Sequence, residues 1–285
     1  VTAQGADEGF VYAATGERYI DLARHAARTL RAVAPKTIID LWCDTGIEDE
    51  TFDRVHLLDR TTHRPKFEAL RRSRFQRTVY LDADTIAVAD PSDIFFVLTR
   101  FDVAGAHVGR RNNGFCRSGW RRDFPLAFPQ INGGVLGIRK SEATDAFLAS
   151  VDAALAETGA RKDQPILREL LFDSDLRIAV LPPEYNCKQL HQIATWTDAD
   201  AAPRILHVPE LHKRRDPESG RIPRLSEIYP ASLLTHVDEL LASDAYLRPK
   251  PRPKVRALAD RPIGRRIKAR LRRTFGNGSS ITGDL

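Results

Sequence analysis

The chain has 285 residues, 42% apolar and 29% charged, enough to bury a sizeable core and unlike a disordered or fibrous composition. Its three cysteines, Cys43, Cys116 and Cys187, lie far apart with no Cys-x-x-Cys spacing, which argues against a disulfide framework or a zinc knuckle. The net charge of +6 is uneven: residues 248–273 hold twelve Lys or Arg and one acid, a balance of +11 that leaves −5 for everything else. Residues 10–14 read as a first strand. A helix follows over 17–33, with Tyr19, Ala23, Ala26, Leu30 and Val33 at steps of four and three. Strands are expected at 37–43 and 54–58, then a helix at 65–72 leading into an apolar strand that ends in Asp82-Ala83-Asp84. Asp90-Pro91-Ser92-Asp93 supplies capping residues for a short helix. Further strands are expected at 102–107, 135–138, 178–181 and 205–207, and helices at 141–155 and 163–171. This alternation predicts an α/β fold, a mainly parallel sheet with helices on both faces. Residues 107–130, rich in Arg, Asn, Gly and Pro, read as a long loop of the kind that is functional or mobile. The expected organisation is a catalytic body over 1–216, a helical extension over 217–247 and a basic tail over 248–285.

Asp82 and Asp84 stand where an apolar strand leaves the core, the edge at which open α/β sheets bind ligands. Two hard oxygen ligands on one short segment suit Mg²⁺ or Mn²⁺, and such an ion can hold a diphosphate. Standing alone, Asp-x-Asp is also simply a strand followed by a solvated acidic turn. His207 alone is a core or surface histidine, Asn132-Gly133-Gly134 alone a turn before a strand, and Asp163-Gln164 alone a helix start. Lys66 and Lys213 alone are surface lysines. A phosphatase of the haloacid-dehalogenase type needs Thr or Val four residues after its first Asp, where Ile86 stands. A sugar nucleotidylyltransferase needs a Gly-rich phosphate loop after the first strand, and Ala13-Ala14-Thr15-Gly16 is not one.

Taken in order, these segments resemble the family-8-type retaining glycosyltransferases, the glycogenin and bacterial lipopolysaccharide galactosyltransferase group, over roughly residues 10–213. The resemblance implies the nucleotide-sugar (GT-A) fold. It implies that Thr15 and Tyr19 hold the nucleotide base, and that Lys66, sixteen residues before Asp82, contacts the donor. Asp82 and Asp84, with Ala83 between them against the donor, and His207 would hold Mn²⁺ or Mg²⁺. Asn132, in Asn132-Gly133-Gly134, would contact the donor sugar, and Asp163 and Gln164 would lie near the reacting carbon. Leu181-Pro182 and Tyr185-Asn186 match a Leu-Pro-x-x-Tyr-Asn pattern, and Lys213, six residues after His207, would grip the diphosphate. Glu210 departs from the family, which usually has Gly there, and no Lys-Pro-Trp follows. Gly16 stands where some relatives carry Asn at the base pocket.

The implied activity is metal-dependent transfer of a hexose from a nucleotide-diphosphate sugar, a UDP-hexose by family habit, to a glycan or glycolipid acceptor with retention. Glu210 leaves open a degenerate, non-catalytic nucleotide-sugar-binding protein. In the tail, Ile263, Ile267, Leu271 and Phe275 fall at steps of four among Arg and Lys. That is the pattern of a basic interfacial helix on an anionic membrane surface, and equally of a disordered basic tail. Without a stacking-aromatic module, no nucleic-acid partner is expected. No apolar run approaches the ~20 residues of a membrane span, and the first ten residues are polar and acidic rather than signal-like. The expected location is cytoplasmic, with peripheral attachment to the inner face of the plasma membrane through the tail.

Overall fold

Strand β1 (Glu8–Ala14) lies in the interior of a seven-stranded sheet, as its two apolar faces require. Phe10, Tyr12 and Ala14 point into one core and Val11 and Ala13 into another. The computed structural model describes residues 7–247 apart from 61–63, 113, 161 and 217, and not the side chain at 115. The tail 248–285, with the stripe of Ile263, Ile267, Leu271 and Phe275, lies outside the described residues, as does the expectation of membrane attachment. Among the described residues no helix is long and apolar enough to cross a membrane.

Helix α1 (Glu17–Val33) buries Ile20, Ala23, Ala26, Ala27 and Leu30 against the sheet. Tyr19, read from the periodicity as part of that apolar stripe, is instead 44% exposed. β2 (Ile39–Cys43) and β3 (Arg54–Leu57) continue the sheet in parallel on one side of β1. α2 (Lys66–Arg72) returns the chain to β4 (Arg77–Leu81), parallel to β1 on its other side. β5 (Thr85–Ala87) and α3 (Ile94–Val97) precede β6 (Val103–His107). At α3 the expected cap is different: Asp90 Oδ1 accepts the Ser92 N–H at 2.8 Å, while Asp93 in the N-cap position makes no side-chain cap.

β7 (Ile131–Arg139) inserts antiparallel between β4 and β6, and β8 (Ile178–Leu181) closes the sheet parallel to β6. The order is β3-β2-β1-β4-β7-β6-β8, with β7 the one reversed strand. α4 (Glu142–Thr158) and α5 (Gln164–Phe172) cover the face opposite α1. After α6 (Leu190–Ile193), β9 (Ile205–His207) pairs antiparallel with β5 in a small second sheet. α7 (Glu210–Lys213), α8 (Leu225–Ile228) and α9 (Ala231–Ser243) follow. Val237 and Leu240 of α9 are buried with Leu206, Val208 and Leu211. The extension is therefore part of the same compact body, and no boundary between packed units falls at 216.

Candidate active site

β4 and β9 bring three ligand-type side chains to one point. Asp82 and Asp84 follow β4, and the β5–β9 register sets His207 opposite Thr85, one residue beyond Asp84. His207 Nε2 lies 3.3 Å from Asp84 Oδ1 and 3.8 Å from Asp82 Oδ2. One ligand atom from each of the three lies within 4.8 Å of the others. His207 Nδ1 is 3.0 Å from Asn186 Oδ1, so Nδ1 carries a proton given to that amide and Nε2 is the nitrogen turned to the carboxylates. Burial pushes the Asp84 carboxyl up, but the imidazoles of His207 and His212 outweigh it and hold Asp84 well below the usual carboxylate range. Tyr80 donates to Asp82 Oδ1 at 2.9 Å, and burial together with the neighbouring Asp82 keeps its hydroxyl protonated well above 10.

Beside this cluster, Lys66 Nζ sits 2.7 Å from Asp163 Oδ2 and 3.8 Å from Asp82 Oδ1, and donates to the Gly133 carbonyl at 3.1 Å. Burial alone would lower the Lys66 pKa; the carboxylates of Asp163 and Asp82 outweigh it and raise it. Burial likewise pushes Asp163 up, and Lys66 and Arg64 pull it below its ordinary value. Asp163 does stand at the N-cap position of α5, which starts at Gln164, but it makes no side-chain cap because its carboxylate is used on Lys66. Asn132-Gly133-Gly134 is not a turn. It lies within β7, with Gly134 accepting the Asp82 N–H at 2.9 Å. A Cβ at Gly134 would run into the His207 ring, and one at Gly133 would come 2.8 Å from Lys66 Nζ. Glycine is needed there for close approach. Asn132 turns its Oδ1 back to the Gly134 N–H at 3.0 Å, and its carbonyl accepts from Asn186 Nδ2 at 3.3 Å.

Two clefts meet at this cluster, sharing Arg64, Lys66 and Asp82. The inner one, about 750 Å³, is lined by Thr15, Tyr19, Ala83, Asp84 and His212. Between Thr15 and α1 stands Gly16 at φ 80°, ψ 148°, a conformation nearly reserved for glycine, with its N–H on Asp44 Oδ1 at 3.0 Å. The outer cleft, about 380 Å³, is lined by Asn132, Asp163 and Gln164 and by the loop after β6. That loop is clamped by α5. Arg168, 1% exposed, donates to the carbonyls of Cys116, Pro125 and Phe128 at 2.6–2.8 Å. Glu169 accepts the N–H groups of Trp120 and Arg121 at 2.7 Å each.

The structure thus brings Thr15, Tyr19, Lys66, Asp82, Ala83, Asp84, Asn132, Asp163, Gln164 and His207 to the walls of the two clefts or the cluster between them. It does not bring Lys213 there. Lys213 is exposed on α7, 3.9 Å from Glu210. Successive helical residues point ~100° apart, so the turn that sends 213 outward sends 212 inward. His212, which the motif spacing does not single out, has Nδ1 3.4 Å from Asp84 Oδ2 and its ring 6.2 Å from that of Tyr19. Arg18 holds α7 in this position by donating to the His212 carbonyl, and Arg215 bridges to Asp21 at 2.6 Å. Glu210 lines neither cleft and faces Lys213 and the Tyr229 hydroxyl.

No protein-family profile matches the sequence, and no curated protein matches it. Solved structures do match. The chain superposes on the glycosyltransferase GlyE of Streptococcus pneumoniae with TM-score 0.55 and 17% identity, over 83% of this chain and 64% of GlyE. The galactosyltransferase LgtC, in complex with donor and acceptor sugar analogs, matches with TM-score 0.53 and 12% identity, over 86% of this chain and 98% of LgtC. The fold is the GT-A fold. In GT-A terms, the cluster of Asp82, Asp84 and His207 lies at the carboxyl edge of β4, where open α/β sheets place their ligands.

Proposed function

We propose that this GT-A chain is a metal-dependent glycosyltransferase that moves a hexose from a nucleoside-diphosphate sugar, a UDP-hexose, to a glycan or lipid-linked acceptor with retention. The observation that carries the reading is the meeting of Asp82, Asp84 and His207, from segments far apart in the chain, where the two clefts join. Two carboxylates and one imidazole suit Mn²⁺, with Mg²⁺ the second choice. The residues fit such an ion: Asn186 locks the His207 tautomer that ligation needs, and Gly134 leaves the room that the ring occupies. When bound, the ion supplies Lewis-acid neutralisation of the departing diphosphate. The likeness to LgtC, a galactosyltransferase that holds donor and acceptor sugar analogs, supports a hexosyl donor.

The chain's own residues divide the work between the clefts. In the inner one, Thr15 and the exposed Tyr19 ring receive the base, since an aromatic face stacks on a planar heterocycle at little entropic cost. Lys66 and His212 present N–H donors to the diphosphate, with His212 taking the part that the spacing gave to Lys213. In the outer cleft, Gln164 offers a neutral amide beside the anomeric carbon, and Asp163 orients the Lys66 ammonium that both clefts share. The alternative of a non-catalytic binding protein rested on Glu210, which lines neither cleft.

The test is a screen of nucleotide-sugar donors by mass spectrometry with Mn²⁺ present. Release of nucleoside diphosphate with one or more donors, abolished by chelator, is the expected result. Donor binding with no release or transfer in Mn²⁺ or Mg²⁺ would make the chain a non-catalytic binder instead.

A further inference from the structure

The outer cleft is more basic than handling the donor requires. Among the described residues its lining carries Arg64, Lys66, Arg110, Lys162 and Lys188 against Asp82 and Asp163. Lys66 is matched by those two acids at 2.7 and 3.8 Å, and Arg64 is shared with the inner cleft. Arg110, Lys162 and Lys188 line the outer cleft alone. They arrive from three separate segments: the loop after β6, the approach to α5 and the stretch between β8 and α6. Their convergence is a product of the fold, and it runs against the balance of −5 that remains once residues 248–273 are set aside. Trp196 and Gln189 line the same cleft. An indole is a flat apolar platform for one face of a pyranose, and a primary amide both donates to and accepts from hydroxyls.

We propose that the acceptor is a glycan carrying an anionic group, a phosphate or a carboxylate, recognised by Arg110, Lys162 and Lys188 while its sugar ring lies against Trp196. This rests on the transferase reading in assigning the outer cleft to the acceptor, but the recognition itself needs no turnover. A single exposed lysine contributes little to binding. Three cations on the wall of one concave cleft focus their field on a charged ligand and do little for a neutral one.

The experiment is calorimetric titration of the full chain, with UDP and Mn²⁺ present to fill the inner cleft, using glucose 6-phosphate, glucuronic acid and methyl glucoside. At least one anionic sugar is expected to bind about tenfold or more tighter than the neutral one, an advantage that shrinks in high salt. The advantage should be lost in Arg110→Gln/Lys188→Gln and reduced in Lys162→Gln, with unchanged thermal midpoints showing that the variants fold. Preference for the phosphate alone, or for the carboxylate alone, identifies the anion. Equal affinity for charged and neutral sugars, no binding of any of them, or an advantage that survives the double variant overturns the proposal. If the anionic preference holds while no nucleotide sugar is ever turned over, the recognition stands and the transferase reading falls.

Discussion

Lys66 and Asp163 form an ion pair at 2.7 Å where the two clefts join, and they are only 3% and 5% exposed. Each strips the other of the cost of a lone buried charge, so removing one partner is worse than removing both. Lys66→Met is expected to destabilise the fold by ~3–5 kcal/mol. Lys66→Met/Asp163→Leu should recover most of that loss in urea denaturation while remaining inactive. A double variant no more stable than the single one would show that the pair is not the source of the penalty.

The same pair sets a pH window. Asp163 is held below its ordinary 3.8, so its contribution is present above that value and lost as pH falls through the lowered folded value. Lys66 is held above its ordinary 10.5, so its contribution is present below that value and lost as pH rises through the raised folded value. The urea midpoint difference between wild type and the double variant should be flat from about pH 5 to 9 and change only outside that range. A step near neutrality would point to a different titrating group.

Asp84 is the most committed of the metal-type ligands, being paired with both His207 and His212. Asp84→Ala should abolish measurable Mn²⁺ binding by calorimetry and cut turnover by several orders of magnitude, since a lost Lewis acid is worth several kcal/mol. Full activity of this variant, or of wild type in excess chelator, would remove the metal mechanism.

Asn186 holds His207 Nδ1 at 3.0 Å. Removal of such an outer partner typically costs about 10–100-fold in metal affinity. Asn186→Ala should therefore weaken Mn²⁺ binding within that range and leave the nucleotide affinity measured without metal close to wild type. An unchanged Mn²⁺ affinity would mean that the ring is oriented by other groups.

Gln164 separates binding from chemistry, because it lines the outer cleft and not the inner one. Gln164→Ala is expected to lower kcat while the dissociation constant for UDP moves by less than about twofold, the pattern of a contact made mainly in the transition state. Loss of UDP binding in this variant would place Gln164 in a structural or nucleotide-holding role.

Much of the body was legible in the amino-acid order because long periodic segments carry their own signal. Helix α1 and strands β8 and β9 fall where the apolar spacing puts them, and the Asp82–Asp84 pair ends an apolar strand as read. What periodicity could not carry was decided by contacts between distant segments. β5 has three residues, too few to show a period, and exists through its pairing with β9. Tyr19 keeps the helical spacing of a core residue, yet the neighbouring Ile20 takes the buried place in the first turn of α1 and the Tyr19 ring lines a cleft. Asn132-Gly133-Gly134 has the local chemistry of a turn, but pairing with β4 and β6 on either side, and the Asp82 N–H on the Gly134 carbonyl, keep it in a strand. The exchange of Lys213 for His212 has the same origin. Spacing along the chain counts residues, while the phase of the single turn α7, set by Arg18 and Arg215 against α1, chooses which of two neighbours faces Asp84.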